Sequence, residues 1–576
     1  MLVHVLACDY DGTIADDGRV SPTTAATLAR VRASGRKVVL VTGRMLGDLE
    51  TVCPEVHTMF DAIVAENGAL LSLPARRDLK VLGDAPEPVL TAALQRHAVP
   101  FSLGNSIIAT YERFAEATAA AIREAGVERS LVFNKGALML LPGGVTKGTG
   151  LEAALAALDY SSHNTVGIGD GENDHAFLSL CECAVAVADA VPALRDRADI
   201  VTTESGATGT TRFIEDHVLE DLRRIVPRLT RHDLRVGELA TREPAKIAAH
   251  GTRLLVVGPS ASGKSTLTGV LVERIVETGR SLCLLDPEGD YQTVAELQGV
   301  VVLGGKSRAA LPTTEELKQL LRRPKSGLVL DLSGMNRTEK VSYATEALGT
   351  IAAVRGASGM PHWLVIDEAH HVFPAEGSSA TEALRRGPEP VCLITLEVDD
   401  LARELRSVPN VLASTELGAF ERALRDLMSS VGPLGNLKLA GPPLQRGETA
   451  VAWLDGAAPR AARVKVDRGK VEHRRHVRKY AEGELPPERS FFFRGPKGEL
   501  NLRAANLIRF RELAEGLDEA TWVHHLRRGD YSAWIREAIK DADLADQIAR
   551  IETGNSTSAA QSRQKVLETI QRRYSV

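Results

Sequence analysis

Apolar residues fall into short runs separated by longer stretches where Ala, Leu and charged residues recur at helical spacing, and this alternation fills two separate blocks. In the first, residues 1–218, the runs are VHVLACDY, KVVLVTGR, DAIVAENGALL, TVGIGDG and CAVAVADA. They are continuous and β-branched rather than alternating, the pattern of strands buried on both faces of a parallel sheet. Between about 74 and 143 the pattern shortens to segments such as SLGNSIIAT and GALMLLP around a helix-like ATAAAIREAG, which predicts an inserted α/β cap. Residues 219–248, rich in charge through EDLRRIVPRLTRHDLRV, read as a helical linker. The strand-helix rhythm resumes over 249–458 in RLLVVG, SLCLLD, GLVLDLS, HWLVIDE and PVCLITL. A basic connector is expected over 459–489, and a small, mostly helical C-terminal domain over 490–576, with ETGNSTSAA as a loop before its last helix. The predicted class is α/β multidomain.

Length agrees: 576 residues at about 150 per domain give about four folding units. Hydrophobic residues at 44% and charged residues at 25% describe a globular chain, and a net charge of -5 gives no overall attraction for nucleic acid. The charge is uneven, however, because Arg460, Arg463, Lys465, Arg468, Lys470, Arg474, Arg475, Arg478 and Lys479 face only Asp467 and Glu472. With His473 and His476 they offer a possible nucleic-acid grip, against the plainer reading of a solvated face. The six cysteines are scattered and predict reduced thiols, Cys181 and Cys183 reading as a buried strand entry rather than metal ligands. MLVHVLACDY lacks a basic leader and reads as a first strand, and no run reaches membrane-spanning length, so no membrane partner and a cytoplasmic location are expected.

The first block carries chemistry at its strand ends. Asp9-Tyr10-Asp11-Gly12-Thr13 delivers two carboxylates to the carboxyl edge of a parallel sheet, where α/β ligands bind. One carboxylate can attack phosphorus while the other moves the proton, provided cations neutralise the site. VTGR supplies Thr42 as a hydroxyl donor, GVTKG supplies Lys147, and GIGDGEND supplies Asp170 and Asp174 as hard oxygen ligands for Mg2+. These four stations, in this order, resemble the haloacid dehalogenase superfamily with its Rossmann-like sheet. The resemblance implies Asp9 as nucleophile and Asp11 as general acid/base. It implies Thr42, with Gly43 and Arg44 beside it, Lys147 and Asn173 as binders of substrate and phosphate. It implies Asp9, Asp170 and the Asp11 carbonyl as metal ligands, supported by Asp174. The second Asp at position 11 favours phosphatases over dehalogenases, and ENGALL with the inserted cap resembles the Cof-type and phosphoglycolate-phosphatase branch.

The second block opens with Gly258-Pro259-Ser260-Ala261-Ser262-Gly263-Lys264-Ser265-Thr266 between a strand and a helix. In that setting backbone amides cradle phosphates, Lys264 reaches the β and γ oxygens, and Ser265 binds magnesium. HWLVIDEAHH adds Asp367 for the metal shell and Glu368 as the base for water, so ATP with Mg2+ is the expected substrate. DPEGDY, GLVLDLSGM and DEAHHVFP resemble the HerA/FtsK-like motor ATPases, which implies a ring-forming homo-oligomer that engages DNA. Arg403, Arg406 and Arg422 are candidate arginine fingers, while Thr395 stands where many motors carry a glutamine sensor.

Three functions fit these residues. The first is hydrolysis of a small phosphomonoester, with the ATPase regulating or assembling the enzyme. The second is nucleic-acid processing by a motor with an end-trimming phosphatase, or by a polynucleotide kinase-phosphatase, against which the Asp367-Glu368 pair weighs. The third is a nucleotide-gated oligomeric scaffold.

Overall fold

The computed structural model describes residues 3–134, 136–259, 262–305, 309–385, 390–431, 437, 439, 441–455, 459–470, 485, 487–539, 541–554 and 558–574. The N-terminal sheet has eight strands in the spatial order Ile200–Val201, Cys183–Ala186, Thr165–Gly169, Val5–Cys8, Lys37–Val41, Ala62–Ala65, Leu70–Leu73 and Asp78–Val81. All pairs are parallel except those made by the last two strands. Val5–Cys8 is central, and its last residue lies level with Ile168 on one side and Leu40 on the other. Asp9, Asp170 and Thr42 therefore leave neighbouring strands close together at one edge.

The cap is a four-stranded antiparallel sheet in the order Arg129–Asn134, Ala137–Pro142, Ile108–Tyr111, Ser102–Leu103, covered by helices Pro88–Arg96 and Ala115–Ala125. Leu90, Ala93, Leu94, Ile108, Ala121, Leu138 and Leu140 form its own small core. The strand Asp78–Val81, inside the range expected for the cap, belongs to the main sheet.

The expected helical linker over 219–248 is different. After two single 3-10 turns the chain forms a hairpin, Leu234–Leu239 against Pro244–Ile247, with Leu234 and Val236 buried and Arg235 exposed between them. Pro227 helps prevent a continuous helix, and the alternation is that of a half-buried strand. The hairpin joins the central sheet, whose eleven strands run Pro244–Ile247, Leu234–Leu239, Arg460–Val466, Glu448–Trp453, Val411–Ser414, Arg253–Val257, Val391–Thr395, Trp363–Ile366, Leu282–Asp286, Gly327–Asp331 and Val300–Gly304. The connector expected from 459 accordingly begins as a strand of this sheet, so the ATPase fold reaches Val466. Residues 471–484, which hold His473, Arg474, Arg475, His476, Arg478 and Lys479 of the basic cluster, lie outside the described residues.

The C-terminal region is a short hairpin, Phe491–Phe493 with Leu502–Ala504, packed under helices that include Leu507–Glu515, Glu519–Arg528, Ala542–Glu552 and Ala559–Tyr574. Its core gathers Phe491, Phe493, Phe510, Trp522, Tyr531 and Trp534, with Trp522 Nε1 donating to Ser562 Oγ at 3.0 Å. His525 packs here and accepts from the Arg494 amide at 2.9 Å, a core role rather than a chemical one. All six cysteines are buried and free, and among the described residues no helix is long and apolar enough to cross a membrane.

Candidate active site

The loop after Val5–Cys8 is tied down by the Tyr10 carbonyl, which accepts from the amides of Thr13, Ile14 and Ala15, while Gly12 turns the chain at a φ of 78°. Asp9 stays on the strand axis through its amide bond to Ile168 O at 3.0 Å. Its carboxylate is buried and lies 2.6 Å from Lys147 Nζ, which also lies 2.6 Å from Asp174 Oδ1. The other Asp174 oxygen accepts from the amides of Asp170 and Gly171 at 2.9 and 2.8 Å, and Thr13 Oγ1 donates to Asp170 Oδ1 at 3.1 Å. One oxygen each from Asp9, Asp170 and Asp174 lies within 4.8 Å of the others.

This is three buried carboxylates against one ammonium. Burial first, then the neighbouring Asp174, pushes the Asp9 carboxyl well above the usual range, with Lys147 opposing. Burial pulls Lys147 downward, but Asp174 and Asp9 outweigh it and its ammonium is held above its ordinary value. The excess negative charge and the all-oxygen donor set fit a small hard dication such as Mg2+, which would be held by Asp9 and Asp170 with Asp174 alongside.

Lys147 opens helix Lys147–Leu158, whose N-cap Thr146 forms a reciprocal capping pair with Thr149. That helix start sits against the turn Glu66–Gly68: a Cβ on Gly68 would lie 1.9 Å from the Thr146 carbonyl oxygen, and one on Gly150 would lie 2.4 Å from Val64 Cγ1. Glycine at both positions lets the lysine come so close to Asp9.

The remaining predicted residues are brought to the same place, with two differences in role. Thr42 is buried at its strand end and its hydroxyl accepts from the Arg44 amide. Arg44, expected to face substrate, forms a two-pronged pair with Asp11, both contacts at 2.7 Å, and so fixes the direction of that carboxylate. Asn173 donates to Asn67 Oδ1 at 2.8 Å, and Asn67 in turn points its amide at Met139 Sδ of the cap, 2.8 Å away. A Cβ on Gly43 would be 3.4 Å from both Asn67 and Met139.

Sequence reasoning missed Glu66, Asn67 and Met139 as site residues. Glu66 is fully buried and accepts from the amides of Asn105 and Ser106, both at 2.9 Å, pinning the cap loop to the main sheet. Glu66 and Asn67 both sit at positive φ, 52° and 53°, in a strained turn after the third parallel strand.

In the central domain Gly258 and Gly263 have φ of 152° and 107°, backbone that glycine alone adopts readily, and helix Lys264–Glu277 starts immediately after. Lys264 Nζ donates to the carbonyls of Gly258 and Pro259 at 2.6 and 3.0 Å, and Ser262 Oγ contacts Thr415 Oγ1 and donates to Pro259 O. Ser265 and Thr266 open the helix; Ser260 lies outside the described residues. Strand Val391–Thr395 separates the P-loop strand from Trp363–Ile366, which delivers fully buried Asp367 and then Glu368 at a φ of 39°. Asp286 ends the next strand, and burial pushes its carboxyl up to about 7 although the Tyr291 amide bonds to it. Thr395 bonds His370 at 3.2 Å, and a cavity of about 680 Å3 lined by Arg337, Lys340, His370, His371, Glu376 and Asp400 opens beside this loop. Of the candidate arginines, Arg422 pairs with Glu397 at 3.0 Å, Arg406 pairs with Asp399 at 2.8 Å, and Arg403 is exposed.

Comparison with known proteins agrees with both halves. The haloacid dehalogenase-like hydrolase family matches residues 6–82 and 97–214, and the central domain of the HerA helicase family matches residues 234–311. A phosphoglycolate phosphatase of Methanothermobacter thermautotrophicus is 30% identical over 221 residues, covering 37% of this chain and 97% of that protein. A phosphoglycolate phosphatase of Halorubrum lacusprofundi is 32% identical over 230 residues, covering 37% and 97%. A solved haloacid dehalogenase-like hydrolase from Bacteroides thetaiotaomicron shares 18% identity over 39% of this chain and 99% of its own, with a TM-score of 0.33. The chain is thus a hydrolase joining a phosphatase-type domain to an ATPase-type one. Through its N-terminal domain it belongs to the haloacid dehalogenase-like hydrolases.

Proposed function

We propose that the N-terminal domain hydrolyses a small phosphorylated metabolite through an aspartyl phosphate on Asp9, and that the central domain hydrolyses ATP. The observation that carries the reading is Lys147 Nζ at 2.6 Å from both Asp9 and Asp174, beside the carboxylate of Asp170. Asp9 Oδ attacks phosphorus while Asp11, protonated once substrate parts it from its two-pronged pair with Arg44, gives its proton to the departing alkoxide. Asp11 then takes a proton from the water that attacks the aspartyl phosphate, releasing phosphate and restoring Asp9. Thr42, the Gly43 and Arg44 amides, and Lys147 hold the phosphate oxygens. Mg2+, bound by Asp9, Asp170 and the Asp11 carbonyl with Asp174 in support, would neutralise the charge of the transferring group. The cap reaches the site through Met139 Sδ, 2.8 Å from the Asn67 amide, and the names of the relatives make phosphoglycolate the first substrate to try.

In the central domain Lys264 and Ser265 take the β and γ phosphates and their Mg2+, Asp367 completes the metal shell, and Glu368 activates water. The test is phosphate release from a panel of phosphomonoesters with Mg2+, with Asp9→Asn expected to lower the rate by at least about 10³-fold. Unchanged release in that variant would remove the mechanism. The HerA match favours one addition, a DNA-engaging ring: ATP hydrolysis rises with DNA and that rise weakens steeply with salt. Absence of any DNA stimulation at low salt would refute it.

A further inference from the structure

The two domains meet through a buried knot of charge. Glu182 of the phosphatase domain is 1% exposed and receives Arg280 Nη2 at 2.7 and 2.8 Å on its two oxygens, His163 at 2.6 Å and His250 at 2.6 Å. The other nitrogen of His163 lies 2.8 Å from the Thr278 carbonyl, which can only accept, so this ring donates across the interface. Beside it His362 Nδ1 accepts from the Ser281 amide at 2.8 Å, leaving Nε2 to donate to Asn164 Oδ1 at 3.0 Å. Burial holds the His362 ring neutral, and His250 and the Arg280 guanidinium, with the hydrogen bonds from His163 and His250, hold the Glu182 carboxyl well below the usual range against the pull of its own burial. A solvated rim contact, Lys325 with Glu152 at 3.0 Å, flanks the knot.

Where these residues sit in their elements matters more than how tightly they bind. Thr278 caps the helix Lys264–Glu277, and Arg280 follows two residues later. His362 precedes the strand that ends before Asp367. Asn164 precedes strand Thr165–Gly169, which ends before Asp170, and Glu182 follows helix His175–Leu180, which starts next to Asp174. Each knot residue therefore lies at the far end of a rigid element whose near end carries a group of one catalytic centre. The P-loop helix spans about 21 Å at 1.5 Å per residue, and the strand from His362 to Asp367 about 16 Å, which sets the reach from the knot to the nucleotide loop.

The geometry points to a coupling joint: nucleotide bound at Lys264 and Ser265 shifts the P-loop helix and the Asp367 strand, and the Glu182–Arg280 knot passes that shift to the elements carrying Asp170 and Asp174. This rests on the proposed activities of both sites. By linkage a phosphatase ligand must change nucleotide affinity by the same factor.

The test uses the full chain with Mg2+ and p-nitrophenyl phosphate, titrated with a non-hydrolysable ATP analogue. At saturation kcat/KM should change at least about fivefold, the low end of ordinary coupling. Lys264→Ala should abolish the response, and Glu182→Gln, which keeps the shape but removes the charge, should cut it below twofold. Should Glu182→Gln fail to fold, Asn164→Ala removes the contact to His362 and should also shrink the response. A second readout needs no phosphatase chemistry: the analogue should alter amide hydrogen exchange over 162–187 in the wild type and not in the interface variant. A wild type indifferent to the analogue in both readouts overturns the joint, as does a full response in both interface variants or one that survives Lys264→Ala. Loss of Asp9-dependent hydrolysis with the exchange response intact would instead remove the phosphatase reading and leave the joint standing.

Discussion

Replacing Gly68 by alanine tests whether backbone packing, rather than side-chain identity alone, positions Lys147 against Asp9 and Asp174. The added Cβ would lie 1.9 Å from the Thr146 carbonyl oxygen, 2.6 Å from its carbon and 3.2 Å from the Lys147 amide, on backbone at a φ of 102°. An ordinary carbon-oxygen contact is about 3.3 Å, so the start of helix Lys147–Leu158 must retreat by roughly 1.4 Å. No flexible side chain can absorb this, because the obstacle is main chain. Overpacking of this kind costs about 1–3 kcal/mol of stability. The retreat carries Lys147 away from the 2.6 Å contacts to Asp9 and Asp174, and a misplacement of about 1 Å costs about 100-fold in rate. The matched control is Gly35→Ala, at a φ of 88° but with nothing within 4 Å of the new Cβ; it should lose about 1 kcal/mol from the left-handed backbone and no activity. Thermal melts and kcat on p-nitrophenyl phosphate read both effects. A Gly68→Ala protein that folds, is destabilised and keeps wild-type kcat would refute the reasoning.

Two further outcomes follow from the same geometry. Glu368→Gln should lower ATP hydrolysis by about 10²–10⁴-fold, the worth of a general base, while fluorescent-nucleotide binding stays near wild type; loss of both together would point to collapse of the strained turn at Glu368. Asp233, whose carboxyl burial pushes up to about 6 despite a bond from the Ala249 amide, favours the fold when protonated. Its contribution is fully present below its unfolded value near 3.8 and is lost as pH rises through about 6. Asp233→Asn should therefore raise the melting temperature at pH 8 and leave it unchanged at pH 3.5; because the group is partly solvated, the gain should stay near 1 kcal/mol or below.

The gathering of the predicted site residues was legible wherever one sits at a strand end. Asp9, Thr42 and Asp170 each follow a run of buried apolar residues, and a turn-forming glycine or polar group comes next, so period and punctuation alone locate them. Lys264 and Asp367 were legible for the same reason. Side-chain direction was not: Arg44 stands beside Thr42 in sequence, yet its guanidinium turns to Asp11, a partner 33 residues away. Glu66 and Asn67 were hidden because their partners, Ser106 and Met139, arrive from the cap and leave no local pattern. The hairpin Leu234–Ile247 was obscured by its arginines and glutamates, which occupy the solvent-facing positions of an alternating strand but mimic a charged helix when counted together. The Glu182 knot draws on residues as far apart as 163 and 362, and nothing in the spacing joins them.

The central sheet closes on itself in sequence: Leu234–Leu239, where the chain enters, is hydrogen-bonded to Arg460–Val466, where it leaves. Entry and exit are thus stitched side by side, like the two tabs of a fastener. Trimming the domain to residues 249–458 would tear out both tabs and leave Glu448–Trp453 as a raw apolar edge, paired with Val411–Ser414 on one side and with nothing on the other. A fragment that begins before Leu234 and runs past Val466 keeps the fastener shut, and it is the smallest piece of the ATPase that should remain monodisperse when freed from its neighbours.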